Sequence, residues 1–143
     1  MQDLIHNVKS VSALLPASLT SFGAGLAVDT QGYRALMFSI NVGTGTLAGG
    51  TSVAVKVQES DTTVDGDFAD VASTDYIESY KDATPGWDRL LDAATDDEEC
   101  FSIGVRCNTK RYKRLFFTET GAVTIILSAV AHLGNPAHGP VAA

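Results

Sequence analysis

From residue 29 onward the chain alternates between apolar and polar positions. Asp29 to Gly32, DTQG, is built of turn-forming residues, and in the following YRALMFSINVG the side chains of Leu36, Phe38, Ile40 and Val42 fall on every second position. A period of two places them on one face of an extended strand. GTGTLAGGT then supplies the glycines of a loop. In SVAVKVQES, Val53, Val55 and Val57 alternate with Lys56 and Gln58, which predicts a second strand with its valines inward. DTTVDGD holds the Asp-Gly pair favoured in tight hairpin connections, and FADVAS after it offers Phe68 and Val71 to pack back against the sheet.

The last third is the most regular. Phe101, Ile103, Val105 and Cys107 alternate with Ser102, Gly104 and Arg106; NTK turns the chain; RYKRLFFT reads as a strand; TGA turns again; and VTIILSAVAHL is a long apolar strand. Three consecutive antiparallel strands, a meander, are expected there. About seven or eight strands separated by turn signals predict an all-β fold, an antiparallel β-sandwich of jelly-roll-like form.

Three segments are less regular. In residues 1–28, Leu4, Ile5, Val8, Val11 and Leu15 fit helical spacing, but Ser10, Ser12 and Pro16 fit extended chain, so this part reads as an N-terminal arm or as the first strands. Residues 75–99 contain a Pro-Gly break, then WDRLLDAA, which has the look of one or two helical turns, then four consecutive acids; a long surface excursion is expected. The body spans 29–133, and 134–143, with Gly134, Pro136, Gly139 and Pro140, reads as an extended C-terminal tail.

Composition narrows the class. The 143 residues suit one domain, and 45% hydrophobic with 19% charged residues suits a packed core. There is no apolar run of about eighteen residues, so no membrane span is expected. The first residues lack the basic start and unbroken apolar block of a secretory signal, which predicts synthesis and use without export. Cys100 and Cys107 lie seven residues apart in one extended segment, too far to bridge each other, so two free thiols are expected.

Charge is unevenly placed. Residues 59–99 hold fourteen acids against Lys81 and Arg89, whereas the remainder holds three acids against eight bases. Four of the ten bases, Lys110, Arg111, Lys113 and Arg114, sit within TKRYKRLFFTETG. Alternation puts Lys113, Leu115 and Phe117 on one face and Tyr112, Arg114 and Phe116 on the other. The bases are thus divided between faces of an acidic domain, and direct nucleic-acid binding is not expected. Two readings remain: the bases guard a strand edge or meet nearby acids, or they form a protein interface with the acids of another subunit.

Signatures of chemistry are sparse. Asp61, Asp65, Asp67 and Asp70 gather around Gly66, but their spacing departs from a calcium loop, and a solvated hairpin is the simpler reading. G-x-S-x-G, H-E-x-x-H and a phosphate-binding glycine loop are missing. His132 ends a strand on the face of Ile126 and Val130. Neither an enzyme nor a cofactor or metal site is expected. Trp87 in TPGWDRLL either anchors the excursion or forms a sugar-binding platform, and VKVQESDTTVDGDFADV with KRYKRLFF is similar to the strands of discoidin-type carbohydrate-binding modules.

Four segments, VDTQGYRALMFSINVGTGT, VKVQESDTTVDGDFADV, IGVRCNTKRYKRLFFTETG and SAVAHLGNPAHGP, resemble in order and spacing the head decoration or cement proteins of tailed bacteriophages. The resemblance implies a jelly-roll-like protein made in the bacterial cytoplasm and carried on the virion's capsid exterior. It would bind the major capsid protein and itself, as a dimer or trimer. A tail or head-completion component of the same virion is the related alternative. Under this reading Lys110, Arg111, Lys113 and Arg114 contact other subunits, and the tail with Asn135 and Pro136 lies along a neighbour.

Overall fold

The computed structural model describes residues 5–78 and 89–137. Trp87 and residues 138–143 of the expected tail lie outside them. The chain is an all-β sandwich of two antiparallel five-stranded sheets. Its strands are β1 (Lys9–Leu19), β2 (Val28–Asp29), β3 (Tyr33–Gly45), β4 (Ser52–Ser60), β5 (Ala69–Asp70), β6 (Tyr76–Glu78), β7 (Arg89–Leu91), β8 (Cys100–Arg106), β9 (Tyr112–Thr120) and β10 (Ile125–Pro136). Sheet A has the order β1-β10-β3-β8-β6; sheet B has β2-β9-β4-β5, with β7 also on β4.

Without the short strands β5 and β6, eight strands remain, and they pair first with last. β1 lies on β10, β2 on β9, β3 on β8 and β4 on β7. The two-stranded ribbon so formed curls over itself, adding β10 to β3 and β9 to β4. This is the jelly-roll wrapping. The excess over seven or eight strands lies in elements of two or three residues, too short to show a period.

Alternation selects the core. Leu36, Phe38, Ile40 and Val42 of β3, Ile103 and Val105 of β8, and Leu127, Ala131 and Leu133 of β10 face Val53, Val55 and Val57 of β4 and Leu115 and Phe117 of β9 across the sandwich, all nearly or wholly buried. Each such valine, leucine, isoleucine or phenylalanine side chain contributes about 1.5–3 kcal/mol through removal from water.

Several expectations are corrected. β8, β9 and β10 do not form a meander: β8 and β10 belong to sheet A and β9 to sheet B, because each turn crosses the sandwich. Within the N-terminal segment, Lys9–Leu19 is a strand of sheet A paired with β10. In WDRLLDAA, Arg89–Leu91 pairs with β4 instead of coiling, and a 3-10 turn follows at Ala94–Asp96. β10 runs past residue 133, with Gly134 opposite Ala35 and Pro136 opposite Tyr33.

Edge strand β1 carries two register shifts, between Ser12 and Leu14 and between Leu14 and Ala17, and contains Pro16. Both features discourage another strand from adding there. Its exit segment laces the sheets together. Gly25 N donates to Leu115 O of sheet B at 2.8 Å, Leu26 N donates to Ala13 O of sheet A at 2.8 Å, and Phe117 N donates to Gly23 O at 2.8 Å. A Cβ on Gly25 would stand 2.7 Å from Ala13 O. Gly25→Ala is therefore expected to cost about 1–3 kcal/mol, as overpacking does, read as a lower urea midpoint. Gly23→Ala, whose Cβ would meet nothing within 4 Å, should change stability by less than about 0.5 kcal/mol.

Candidate functional site

The basic segment forms the turn into β9 and its first residues. Register places Glu59 opposite Lys113, Gln58 opposite Arg114 and Ser60 opposite Tyr112, so the entry of β9 lies against the acid-rich exit of β4. The two charge-rich stretches meet within one molecule.

Lys113 follows the inward parity of Leu115 and Phe117 and is fully buried. Its Nζ donates to Glu59 Oε2 and, at 3.0 Å, to Thr109 Oγ1; Thr109 Oγ1 donates in turn to Glu59 Oε2 at 2.5 Å. The Glu59 side chain is 12% exposed. A buried ammonium is tolerable only with its partner and its hydrogen bonds in place.

Arg114 points to the outer face of sheet B yet is also buried, at 6% exposure. Gln58 Oε1 accepts from its Nε at 3.0 Å and its Nη2 at 2.8 Å, Asp65 Oδ1 accepts from Nη1, and the guanidinium lies 4.0 Å from the centre of the Phe68 ring. It clips the loop between β4 and β5 onto the sheet. Beside it Lys56 Nζ donates to Asp70 Oδ2 at 2.9 Å and Gln58 Nε2 to Asp70 Oδ1 at 3.2 Å. Of the aspartates around Gly66, Asp61, Asp65 and Asp70 hold bases and Asp67 accepts from Thr62 Oγ1 at 2.5 Å. Among the described residues no group of three or more His, Cys, Asp or Glu is arranged to hold a metal ion.

Lys110 and Arg111 remain at the surface, each with a side chain 46% exposed. Lys110 Nζ donates to Asp61 Oδ2 at 2.6 Å; Arg111 donates to both oxygens of Asp29, at 3.0 Å from Nε and 2.7 Å from Nη2. The Arg111 hydrogen bonds hold the Asp29 carboxyl below its usual range, and that of Lys110 does the same for Asp61; both bases are shifted up in return.

Arg111 adjoins the turn Thr30 to Tyr33, where Gly32 takes φ 88° and Tyr33 N donates to Thr30 O at 3.0 Å. The C-terminal end of β10 reaches the same turn. Pro136 pairs with Tyr33, and Ala137 N donates to Gly32 O at 2.8 Å. Exposed Asn135 has a φ of 51°, left-handed backbone that Asn adopts more readily than most residues. An open cleft of about 340 Å³ between this turn and Cys107 to Arg111 marks the spot. Of the six residues expected at an interface, Lys110, Arg111, Asn135 and Pro136 thus gather at one end of the sandwich. Lys113 is consumed inside it, and Arg114 beneath the loop after β4 on the outer face of sheet B. Sequence reading missed that separation because it depends on which strand lies opposite.

Both cysteines are free. Burial pushes the Cys107 thiol up, leaving it protonated at neutral pH. His132 Nδ1 lies 2.9 Å from Ser10 Oγ on the outer face of sheet A. No helix among the described residues is long and apolar enough to cross a membrane. Comparison with protein-family models and with curated proteins finds no match to this chain.

Lys113→Met leaves the largely buried Glu59 carboxylate without its cation, with Thr109 Oγ1 still donating to it, and is expected to destabilise the isolated chain by about 3 kcal/mol. Adding Glu59→Leu should restore most of that loss, with both read from urea unfolding. A Lys113→Met chain as stable as the parent would remove the structural role assigned to the pair.

Folding lowers the pKa of Asp29 and Asp61 from an ordinary 3.8. The unfolded chain therefore takes up protons first as the pH falls, and the stability these pairs contribute above that range is lost as the pH passes down through the folded values. The Asp29→Asn, Asp61→Asn double variant should lose less stability than the parent between about pH 6 and pH 3, measured by urea midpoints at each pH.

Proposed function

We propose that this protein is a non-enzymatic structural component of a tailed-phage virion, a capsid decoration or cement protein. It binds the outer surface of the major capsid protein shell and ties neighbouring subunits together. The observation that carries the reading is the gathering of Lys110, Arg111, Asn135 and Pro136 at one end of a rigid sandwich. These four come from chain segments that resemble decoration proteins; Lys110 and Arg111 line an open cleft, and the β10 end that carries Asn135 and Pro136 pairs with Tyr33 at its other wall.

The chemistry of the patch suits adhesion. Its two bases are held by single carboxylates at half-exposed positions, so exchanging an intramolecular acid for one on a neighbour costs little. A shell multiplies such a contact many times, and binding to the assembled state alone stabilises that state by mass action.

The test is to purify virions with and without the chain. Particles carrying it are expected to contain many copies by mass spectrometry and to release DNA at a higher temperature than particles lacking it. Reversing both bases, Lys110→Glu with Arg111→Glu, should lower occupancy most at low salt, where exposed charges act furthest. Purified virions that never contain the chain would sink the proposal.

A further inference from the structure

We propose that the outer face of sheet A packs face to face against the same face of a second copy of this chain, about a two-fold axis running along β3. The inference goes beyond the virion reading and does not depend on it.

The face is unlike the rest of the molecule. Outward positions on its three central strands are Ile126, Ser128, Val130, His132 and Gly134 on β10; Ala35, Met37, Ser39, Asn41 and Gly43 on β3; and Cys100, Ser102, Gly104 and Arg106 on β8. In a chain of seventeen acids and ten bases, Arg106 is the one residue among them with a formal charge at neutral pH. Met37, Ile126 and Val130 are 42%, 45% and 40% exposed, standing above a floor of serine, alanine and glycine. Ile126 rests on Gly43, where an added Cβ would meet Ile126 Cβ at 2.9 Å.

The register decides the occupant. Across the face Val130, Ser39 and Ser102 lie level, as do His132, Met37 and Gly104, then Ser128, Asn41 and Cys100, and finally Gly134, Ala35 and Arg106. A two-fold axis along β3 lays β10 of one copy over β8 of the other without shifting levels. Val130 then meets Ser102, His132 meets Gly104 and Gly134 meets Arg106, so at three levels a larger side chain faces a smaller one. Met37 meets its own equivalent on the axis. This self-complementarity is what a two-fold interface requires.

Charge agrees with this packing. Copies of net charge -7 repel, and this face lets them approach without bringing acids together. The backbones of the two Arg106 residues fall on opposite sides of the axis, about 14 Å apart for sheets stacked about 10 Å apart. The three central strands by five levels cover about 14 Å by 27 Å, or about 800 Å² over both copies, the size of a weak, reversible contact.

Sedimentation equilibrium of the purified chain should show a monomer–dimer equilibrium with no trimer. Met37→Glu sets two carboxylates against each other on the axis and should weaken the dimer about tenfold or more, while thermal unfolding followed by circular dichroism at monomeric concentrations stays near that of the parent. In a Cys100→Ser, Cys107→Ser background, Met37→Cys should give covalent dimers with a short bis-maleimide, and Thr118→Cys on the outer face of sheet B should not. A chain monomeric at all concentrations, a dimer that survives Met37→Glu, a trimer, or cross-linking at residue 118 in place of 37 would each overturn the proposal. So would a monomer whose Met37→Glu variant loses occupancy on virions, which would assign the face to the shell.

Discussion

The structure depends on pairing strands that lie far apart in the chain. β1 needs β10 and β3 needs β8, so neither sheet can be completed from neighbouring segments. The sandwich holds only when both halves of the ribbon are present and curled. Such a topology has high contact order, and closing its long loops precedes most of the apolar burial that rewards them. The lacing at Gly25 follows from the same constraint: the chain must leave sheet A and enter sheet B within a few residues, and backbone passes so close to backbone that no side chain fits.

That pairing also settles the charge distribution. β4 ends in acids and β9 begins in bases, and antiparallel alignment brings the two ends together. Lys113 consequently enters the interior as an ion-paired, hydrogen-bonded group, while Arg114 fastens the loop after β4 to the outside of the sheet. An asymmetry along the sequence becomes local neutrality in space. Only where the segment turns toward solvent, at Lys110 and Arg111, are bases left half-exposed beside the end of β10.

The two outer faces differ for a related reason. The loop after β4 and strand β5 fold back along sheet B, placing Phe68 and Asp70 against Arg114 and Lys56. Over the centre of sheet A the described residues lay no such loop, and the outward positions of β3, β8 and β10 carry one charged residue, Arg106, at the margin, with Asn41 and His132 among small and apolar side chains. One face is finished by the chain itself, and the other has the composition of a surface that meets another molecule.

Much of the fold was legible in the sequence because period-two alternation is a local property. β3, β4, β8, β9 and β10, their inward residues and the DTQG turn follow from it, as does the two-layer β architecture. The segments that misled were those where periodicity is broken or too brief: β1 with its bulges, the three-residue β7 taken for helix, and β10 carried past 133 through Gly134 and Pro136. In the candidate site, the clustering of bases was visible but their fates were not. Alternation assigned Lys113 to the face of Leu115, and nothing local reveals that Glu59 waits there or that Gln58 and Asp65 claim Arg114. What the amino-acid order determined by itself was which stretches are strands and which side of each is apolar; which strands become neighbours, and hence which charges are cancelled and which remain at the surface, was decided only by the tertiary structure, because pairing partners are chosen by burial over the whole chain.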